Sequence, residues 1–245
     1  MRKLAVFCVV AALVAMAHAE DAQDAVKAVV LTGGHSFDAK AFEALFDDMA
    51  GIEVTFADQK DDSEIFEDVA EWPYDVIVLY NMGQKITPKR QENFLGLLNK
   101  GVGLVMMHHA MTAFEGWPEY AKVIGGVYRR QAEVVDGKEL PACAYQHDID
   151  FDVHVEDPDH PVTQGIQDFT VHDETYIRCR HEPDSHVLLT TNHPTSDRVV
   201  GWSRTYGQAR VCGVQMGHGP QIFAQPEYKR FVAQAIRFCA ASDKE

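Results

Sequence analysis

The sequence lacks the short motifs that mark several large classes of enzyme. It contains no GxSxG elbow of the serine hydrolases, no GxGxxG or Walker phosphate loop, and no CxxC pair. Positive charge is also in short supply, since 22 Lys and Arg face 37 Asp and Glu residues and the formal net charge is −15. We therefore expect no nucleotide cofactor, and the negative field disfavours nucleic acid and membrane surfaces as partners.

Long apolar runs are scarce as well, and the one present lies at the N-terminus. Arg2 and Lys3 precede an apolar stretch that ends in the small-x-small sequence Ala17-His18-Ala19. This order is typical of a secretory signal peptide, here residues 1–19. We expect cleavage near Ala19 and an exported, periplasmic or secreted product of residues 20–245 that forms a single domain.

Cysteine is rare, and one of the five, Cys8, falls in the apolar N-terminal run. The remaining four allow three disulfide pairings, which the sequence alone does not distinguish. Their wide spacing argues against a zinc–cysteine site. We expect buried thiols or one structural disulfide among Cys143, Cys179, Cys212 and Cys239.

The first half of the chain alternates between strand-type and helix-type segments. This alternation predicts an α/β fold with a flavodoxin-like, doubly wound, mainly parallel sheet and helices on both faces. The predicted strands lie at 27–32, 52–57, 75–80 and in the stretch GVGLVMMHHA at 101–110, and the predicted helices at 38–50, 62–70 and 87–100.

The second half is less regular. Residues 128–180 are expected to be rich in loops, with one strand near 151–156. Further strands are predicted at 186–191, 199–204 and 209–216, and a final amphipathic helix at 226–240. These strands are expected to add an antiparallel or mixed part to the sheet.

Residues able to do chemistry follow directly after the predicted strands. His35 comes after the first strand, His108 and His109 after the fourth, and His218 after the last. Ligands of open α/β sheets bind beyond the carboxyl ends of the strands. We therefore expect these histidines to share one cleft, where His35, His108 and His218 would suit zinc or a related divalent ion.

Each candidate also has a plainer interpretation. His35 would merely cap a helix, His108 would be a core histidine with satisfied nitrogens, and His218 would occupy a turn. Asp173-Glu174, which we place in a loop, is either a solvated pair or the source of a general base, a metal ligand or hydrogen bonds to sugar hydroxyls. The acidic, histidine-rich stretch 147–160 is interpreted as an exposed loop face.

At these residues the chain resembles the ThuA-like, or trehalose-utilisation, family. The matching segments occur in the family's order and cover nearly all of the mature chain. They are VLTGGHSFD, YDVIVLYN, GVGLVMMHHA, WPEYAKVIGGVY, DHPVTQGI, HDETY and VCGVQMGHG.

The resemblance implies a class I glutamine-amidotransferase-like fold and a role in carbohydrate metabolism, notably of disaccharides and their keto derivatives. By position, the family's site residues map to His35, His108, the pair Asp173-Glu174 and His218. The amidotransferases carry a nucleophilic cysteine at the elbow, where this chain has His108, so glutaminase activity is not expected. The family often has a small residue directly after the elbow histidine, where this chain has His109.

We expect a small-molecule sugar or keto-sugar as substrate and isomerisation, elimination or hydrolysis as the reaction. His108 or Glu174 would act as general base, and Asp173 would bond a hydroxyl group. A non-catalytic sugar-binding module, or a partner subunit of a sugar dehydrogenase, is the alternative, and a homo-oligomer is also considered. Further expected sugar contacts are Tyr80, Asn81, His109, Trp117 and Tyr176.

Overall fold

The computed structural model describes residues 25–60, 62–114, 116–135 and 137–241. The predicted signal peptide, residues 1–19, lies outside this part of the chain. Within the described ranges, no helix combines the length and apolar character needed to cross a membrane. Cys143, Cys179, Cys212 and Cys239 are free thiols. Of the two expected alternatives, buried thiols or a structural disulfide, the first holds for three of them, while Cys179 is only partly buried.

Strands dominate the secondary structure of the described residues. In chain order they are β1 (Val26–Thr32), β2 (Ile52–Asp58), β3 (Val76–Leu79), β4 (Gly103–Met107), β5 (Gly126–Val127), β6 (Glu133–Val135), β7 (Lys138–Leu140), β8 (Ala144–Val155), β9 (Phe169–Ile177), β10 (Arg180–His181), β11 (His186–Thr190), β12 (Val199–Tyr206) and β13 (Ala209–Val214).

Nine of these strands form one sheet in the order β2-β1-β3-β4-β13-β12-β11-β8-β9. The pairings from β2 through to β13 are parallel, and those from β13 through to β9 are antiparallel. The chain runs outward from β1 to β2 and then returns to β3 on the other side, which creates a switch point at the carboxyl edge. The predicted α/β, flavodoxin-like class is thereby confirmed, including the antiparallel addition from the second half.

Helices cover both faces of this sheet. They are α1 (Ala39–Leu45), α2 (Pro88–Asn99), α3 (Pro118–Ile124), α4 (Pro220–Phe223) and α5 (Pro226–Ala240). One apolar core includes residues of α1, α4 and α5, and the other includes residues of α2 and α3. In β1, Val30 belongs to the first core and Val29 and Leu31 belong to the second. Burial on both faces explains the continuous apolar runs of the parallel strands.

Helix α5 shows how local sequence fixes an element. The side chain of Gln225 caps its first turn by accepting from the amides of Glu227 and Tyr228, and Pro226 occupies the first position. Its apolar residues recur every three or four positions and are buried, which contributes about 1.5–3 kcal/mol for each large side chain. They are Tyr228, Phe231, Val232, Ala235, Ile236 and Cys239.

Two predictions were wrong. The helix at 62–70 is only a 3-10 turn at Glu64–Phe66, because Asp62 and Ser63 adopt left-handed φ angles of 50° and 65°. The region 128–180 is not mainly loop: β8 and β9 form a long antiparallel ribbon, and Asp173-Glu174 lies inside β9. Acidic residues disfavour strand prediction, but pairing with β8 overrides that local preference.

Candidate functional site

His108 is the first residue after β4, and it is completely buried. Its φ is +52°, a left-handed angle that costs a non-glycine residue about 1–3 kcal/mol and persists only where surrounding contacts hold it. The ring Nδ1 lies 2.8 Å from the carbonyl oxygen of Gln215, beyond the end of β13. Because a carbonyl only accepts, Nδ1 carries the hydrogen, and Nε2 is the lone-pair nitrogen of the neutral ring.

Glu174 in β9 faces this lone-pair nitrogen. Its Oε2 is 3.0 Å from His108 Nε2 and 3.4 Å from His218 Nδ1. The two imidazole nitrogens are 3.3 Å apart. A carboxylate oxygen and a ring lone pair repel each other unless a proton or a cation lies between them. The three side chains therefore converge on a point that attracts positive charge.

Tyr176 contacts His108 beside the point where Glu174 and the two histidines converge. Its ring stacks on His108 with centroids 4.9 Å apart, and its hydroxyl lies 3.0 Å from His108 Nε2. Burial raises the pKa of Tyr176 well above its usual value of 10.0, with the Glu174 carboxylate adding to the effect. The hydroxyl therefore stays protonated and serves as a hydrogen-bond donor.

Asp173 positions His218 from beneath. Its two carboxylate oxygens accept from the amides of Gly217 at 2.7 Å and His218 at 2.9 Å. The carbonyl of Gly217 accepts from the Tyr80 hydroxyl at 2.9 Å. Gly217 has a φ of +135°, and a Cβ there would lie 2.6 Å from the Tyr228 hydroxyl oxygen, so only glycine fits this turn.

A β-bulge brings a further histidine to Glu174. The β8–β9 register shifts between Gln146 and Ile149, and Asp148 has a φ of +56°. Such bulges re-aim side chains. Here His147 lies opposite Glu174, with its Nδ1 3.2 Å from Oε1, and its ring packs 4.7 Å from that of His218.

His109 and His35 form a neutral pair on the other side of the cavity. Their rings stack at 4.7 Å, and His109 Nε2 lies 2.9 Å from the carbonyl oxygen of Tyr80. Burial, with a smaller contribution from the charge of His108, lowers the pKa of His109 to about 2. Burial, and then the charges of His218 and His108, also lower the pKa of His35. Both rings are bases that carry no proton charge at neutral pH.

The charges of the central group are strongly linked. Burial alone raises the pKa of Glu174. In the absence of a metal, protons lie between Glu174 and the two histidines, and the resulting hydrogen bonds from His108 and His218 outweigh burial and hold that pKa well below its usual range. The hydrogen bond to Glu174 raises the pKa of His218 above 6.5. Burial raises the pKa of Asp173, against the charge of His108 and the amides that it accepts. The site therefore holds one fixed carboxylate and a histidine ready to accept a proton or a metal.

These residues line a cavity of about 530 Å³ at the carboxyl edge of the sheet. Six predicted site residues line it, and four do not. Tyr80 and Asn81 are buried beneath it, Asn81 bonding Gln84, while Asp173 acts through Gly217 and His218. Trp117 lines a neighbouring groove. The six that line the cavity are His35, His108, His109, Glu174, Tyr176 and His218.

Among the other lining residues, four with aromatic or basic side chains were not predicted from the sequence. They are Tyr128, Arg130, Tyr145 and His147. All lie in the region interpreted as loop or exposed face, and their positions depend on pairing with β9 and on the bulge. The period-two pattern of Ile149, Phe151 and Val153 was the available strand signal, but the bulge between Gln146 and Ile149 interrupts this pattern before it reaches His147.

The described residues offer one cluster suited to a metal ion. His108, Glu174 and His218 present two imidazole nitrogens and a carboxylate oxygen within 4.8 Å of one another. Two histidines and one glutamate are a known ligand set of catalytic zinc, which keeps a further position open. The carbonyl of Gln215 on His108 Nδ1 is the outer contact that such a ligand usually has. The Asp173 carboxylate instead holds the backbone amide of His218. His35 stands outside the cluster, with its ring 5.9 Å from that of His218.

The fold is shared with several solved structures. A ThuA-like protein from Parabacteroides merdae is 20% identical, with a TM-score of 0.72 over 89% of this chain and 90% of that one. A ThuA-like protein from Bacteroides uniformis is 23% identical, with a TM-score of 0.66 over 89% and 93%. A β-galactosidase from Bacillus circulans sp. alkalophilus contains a similar domain, with a TM-score of 0.52, 11% identity and coverage of 88% of this chain and 31% of that one.

A search of curated proteins gave no match. The family model described as ThuA, trehalose utilisation, matches residues 15–239. That span includes every strand, every helix except the last residue of α5, and every residue of the cavity. The chain therefore belongs to the ThuA family, and its association with trehalose utilisation supports a carbohydrate-related role.

Proposed function

We propose that the protein is an exported, metal-dependent enzyme that removes a proton beside the carbonyl group of a keto-sugar, in an isomerisation or an elimination. The family supports the sugar class, and the cavity supports the chemistry. The cavity has a volume within the range of about 300–1,000 Å³ common for small-molecule sites.

The observation that carries this proposal is the approach of Glu174 Oε2 to His108 Nε2 at 3.0 Å. With Nδ1 of His108 donating to the Gln215 carbonyl, two electron-rich atoms face each other, and His218 adds a third. A divalent ion such as zinc, held by these three side chains, would polarise a carbonyl oxygen of the sugar and acidify the neighbouring C–H.

His147 is suited to act as the general base. Its Nδ1 lies 3.2 Å from the Oε1 of Glu174, and because a carboxylate only accepts, the Nδ1 carries the hydrogen. The lone pair of Nε2 is then available at the lining of the cavity. A positioned imidazole of this kind contributes about 10²–10⁴-fold to proton transfer.

The remaining lining positions the sugar. Tyr145 is 60% exposed at the cavity and presents an aromatic face on which a sugar ring can pack. The stacked pair His35 and His109 forms the opposite, neutral wall. Tyr176 donates its hydroxyl hydrogen into the centre and orients an oxygen there.

Solvent-deuterium exchange tests this proposal directly. Purified protein loaded with zinc is incubated in D₂O with a 3-keto derivative of trehalose, and NMR follows the proton beside the carbonyl. We expect enzyme-dependent exchange, reduced about 100-fold or more in His147→Gln. Products without deuterium at that carbon would identify hydrolysis and contradict the proposal.

The same experiment separates an enzyme from a sugar-binding module or a subunit of a sugar dehydrogenase. Glu174→Gln keeps the shape of the cavity but removes the central negative charge. An enzyme loses exchange in this variant, whereas a binder shows no exchange in the unchanged protein and keeps its sugar affinity.

Export through residues 1–19 is part of the proposal, and N-terminal sequencing of the secreted protein checks cleavage near Ala19.

A further inference from the structure

Two thiols that the proposed function leaves unused lie together at one end of the β8–β9 ribbon. Cys143 directly precedes β8, and Cys179 follows β9 after one intervening residue. Of the cysteines in the described residues, Cys143 is the one that lines the His108 cavity. Cys212 and Cys239 are instead completely buried, and their thiols donate to backbone carbonyls. A small molecule in the cavity therefore meets Cys143 and not the core cysteines.

The backbone at Arg178 brings the two side chains together. Ala144 pairs with Ile177, so the next residues outward, Cys143 and Arg178, oppose each other. In a regular strand Cys179 would then point to the other face, because successive side chains alternate. Arg178 instead has a φ of +68°, a left-handed angle that breaks this alternation. Cys179 therefore turns toward Cys143, and its thiol donates a hydrogen bond to the sulfur of Cys143.

Asp197 holds this turn in place. Its carboxylate accepts from the amide of Arg178 at 3.0 Å and from the amide of Cys179 at 2.7 Å. The carbonyl oxygen of Arg178 lies 3.2 Å from Cys143 Sγ, and the Arg178 guanidinium donates to the carbonyl of Ala142 at 2.8 Å. These contacts fix the backbone on both sides of the thiol pair, so the two sulfur atoms stay within reach of each other.

The surroundings of Cys143 favour its thiolate form. The hydrogen bond from Cys179 lowers the pKa of Cys143 to about 7 and raises the pKa of Cys179 above its usual range. The backbone amide of Arg129 also donates to the Cys143 sulfur, at 3.0 Å. The Arg178 carbonyl keeps a donor when Cys143 loses its proton, because the Arg129 guanidinium donates to it at 2.5 Å. Thiolates attack disulfides and thiols do not, so Cys143 is the nucleophile of the pair.

We infer that Cys143 and Cys179 form a reversible disulfide when a small aliphatic disulfide compound enters the cavity. Cys143 attacks one sulfur of that compound, the S–S bond of the compound breaks, and one thiol is released with the proton that Cys143 gave up. Cys179 then loses its proton and attacks the Cys143 sulfur, which releases the second thiol. The two cysteines lose two electrons, and the external disulfide is reduced to two thiols. The reaction needs neither the metal nor the sugar chemistry proposed above.

The disulfide closes the open end of the β8–β9 ribbon, which carries His147 and Glu174. The backbone carbonyl of Arg129, next to Tyr128, accepts from the Cys143 amide at 2.8 Å. Oxidation therefore ties together the part of the cavity wall that these segments form. A cross-link between distant segments also restricts the unfolded chain, so we expect the oxidised protein to melt about 5 °C or more above the reduced protein.

Mass spectrometry of proteolytic fragments tests the inference. The reduced protein is incubated at neutral pH with cystamine, a small aliphatic disulfide, and is then unfolded in N-ethylmaleimide, which blocks every remaining thiol. We expect a link between the fragments that contain Cys143 and Cys179, while Cys212 and Cys239 carry the blocking group. Excess dithiothreitol added before the blocking step should remove the link.

Two variants separate the roles of the pair, and a third is the control. In Cys179→Ser the cysteamine unit should stay attached to Cys143, because no second sulfur displaces it. In Cys143→Ser, Cys179 should react about tenfold or more slowly than Cys143 does in the first variant, because Cys179 does not line the cavity. Cys212→Ser removes a core thiol and keeps a donor for the carbonyl of Trp202, so it should still form the link.

Three results would overturn the inference. They are thiols that both stay free in excess cystamine, a cysteamine unit that remains on Cys143 in the unchanged protein, and a link that joins any other pair of cysteines. Failure of the proposed function is a separate result, because metal content and deuterium exchange do not enter this measurement. A protein that forms the link but holds no metal and catalyses no exchange keeps the thiol pair and loses only the proposed chemistry.

Discussion

His108 Nε2 and Glu174 Oε2 lie 3.0 Å apart, although His108 follows β4, Glu174 lies inside β9, and four strands separate β4 from β9 in the sheet order. The left-handed backbone of His108 turns the ring toward β9, and the Gln215 carbonyl fixes which ring nitrogen faces the carboxylate. The sheet therefore carries a site that attracts a proton or a metal cation, and the residues of this site come from distant segments of the chain.

The carboxylate of Asp173 should matter for metal affinity without being a ligand. Asp173→Asn keeps the size of the side chain but replaces one acceptor oxygen with a donor that faces the amide of Gly217 or His218. We expect zinc affinity to fall about 10–100-fold, as for other outer contacts of metal ligands. Competition with a chromophoric chelator measures this. Asp150→Asn, on an exposed residue, is the control, and equal affinities in both variants would contradict the role of Asp173.

Zinc binding and the stability of the metal-free protein should respond to pH in opposite directions. The bond to Glu174 raises the pKa of His218, so the imidazolium stabilises the fold fully below 6.5 and this contribution is lost as pH rises through the folded pKa. Zinc needs the neutral ring, so its affinity should fall about tenfold per pH unit below the folded pKa. Titrations between pH 5 and 9 check both trends, and an affinity that rises on acidification would refute this reading of His218.

Gly217 should tolerate no side chain. Gly217→Ala places a Cβ 2.6 Å from the Tyr228 hydroxyl at a φ of +135°, so we expect a loss of about 1–3 kcal/mol in the free energy of unfolding. Gly96→Ala offers a matched control, because Gly96 lies inside α2 with nothing within 4 Å of its Cβ position. That change should stabilise the protein by up to about 1 kcal/mol. Urea unfolding of both variants decides the matter.

His181 should make the protein less stable in mild acid. Both of its ring nitrogens are buried without hydrogen-bond partners, and its ring meets Trp202 edge-on at 4.8 Å. Burial lowers its pKa from 6.5, against a smaller opposite effect of Asp197. As pH falls below 6.5, His181 becomes protonated in the unfolded chain but stays neutral in the folded chain. The free energy of unfolding therefore falls by at most about 1.4 kcal/mol per pH unit.

His181→Phe removes this proton uptake and should flatten the dependence of unfolding free energy on pH between 6.5 and 5. The exposed His154 provides the comparison, and His154→Gln should leave the slope attributable to His181 in place. If the slope of unfolding free energy against pH is unchanged in His181→Phe, His181 is not the group that stays neutral in the folded chain.

Local signals in the sequence were sufficient for much of the fold. The bounds of α5 follow from Pro226, the apolar period and the end at Ala240, and the parallel strands follow from their short apolar runs. The rule that ligands gather at carboxyl ends also placed His108 and His218 at one edge. These features depend on residues close together in the chain.

The remaining parts depend on long-range pairing, which local patterns do not carry. His147 reaches Glu174 only through a bulge in β8, and Asp173-Glu174 was assigned to a loop because its strand is defined by pairing with β8. Asn81 follows a strand as expected, but it turns inward to Gln84. The direction of a side chain after a strand is set by the residues packed around it. A local sequence pattern locates the end of the strand but does not show which residues will pack there.

Metal content is the most direct test of the central claim. Protein purified without chelators and analysed by plasma mass spectrometry should contain close to one divalent ion per chain, and His108→Ala combined with His218→Ala should contain none while keeping its circular dichroism spectrum. Loss of metal should abolish deuterium exchange, and added zinc should restore it in the unchanged protein alone. A metal-free protein with full exchange activity would contradict the account.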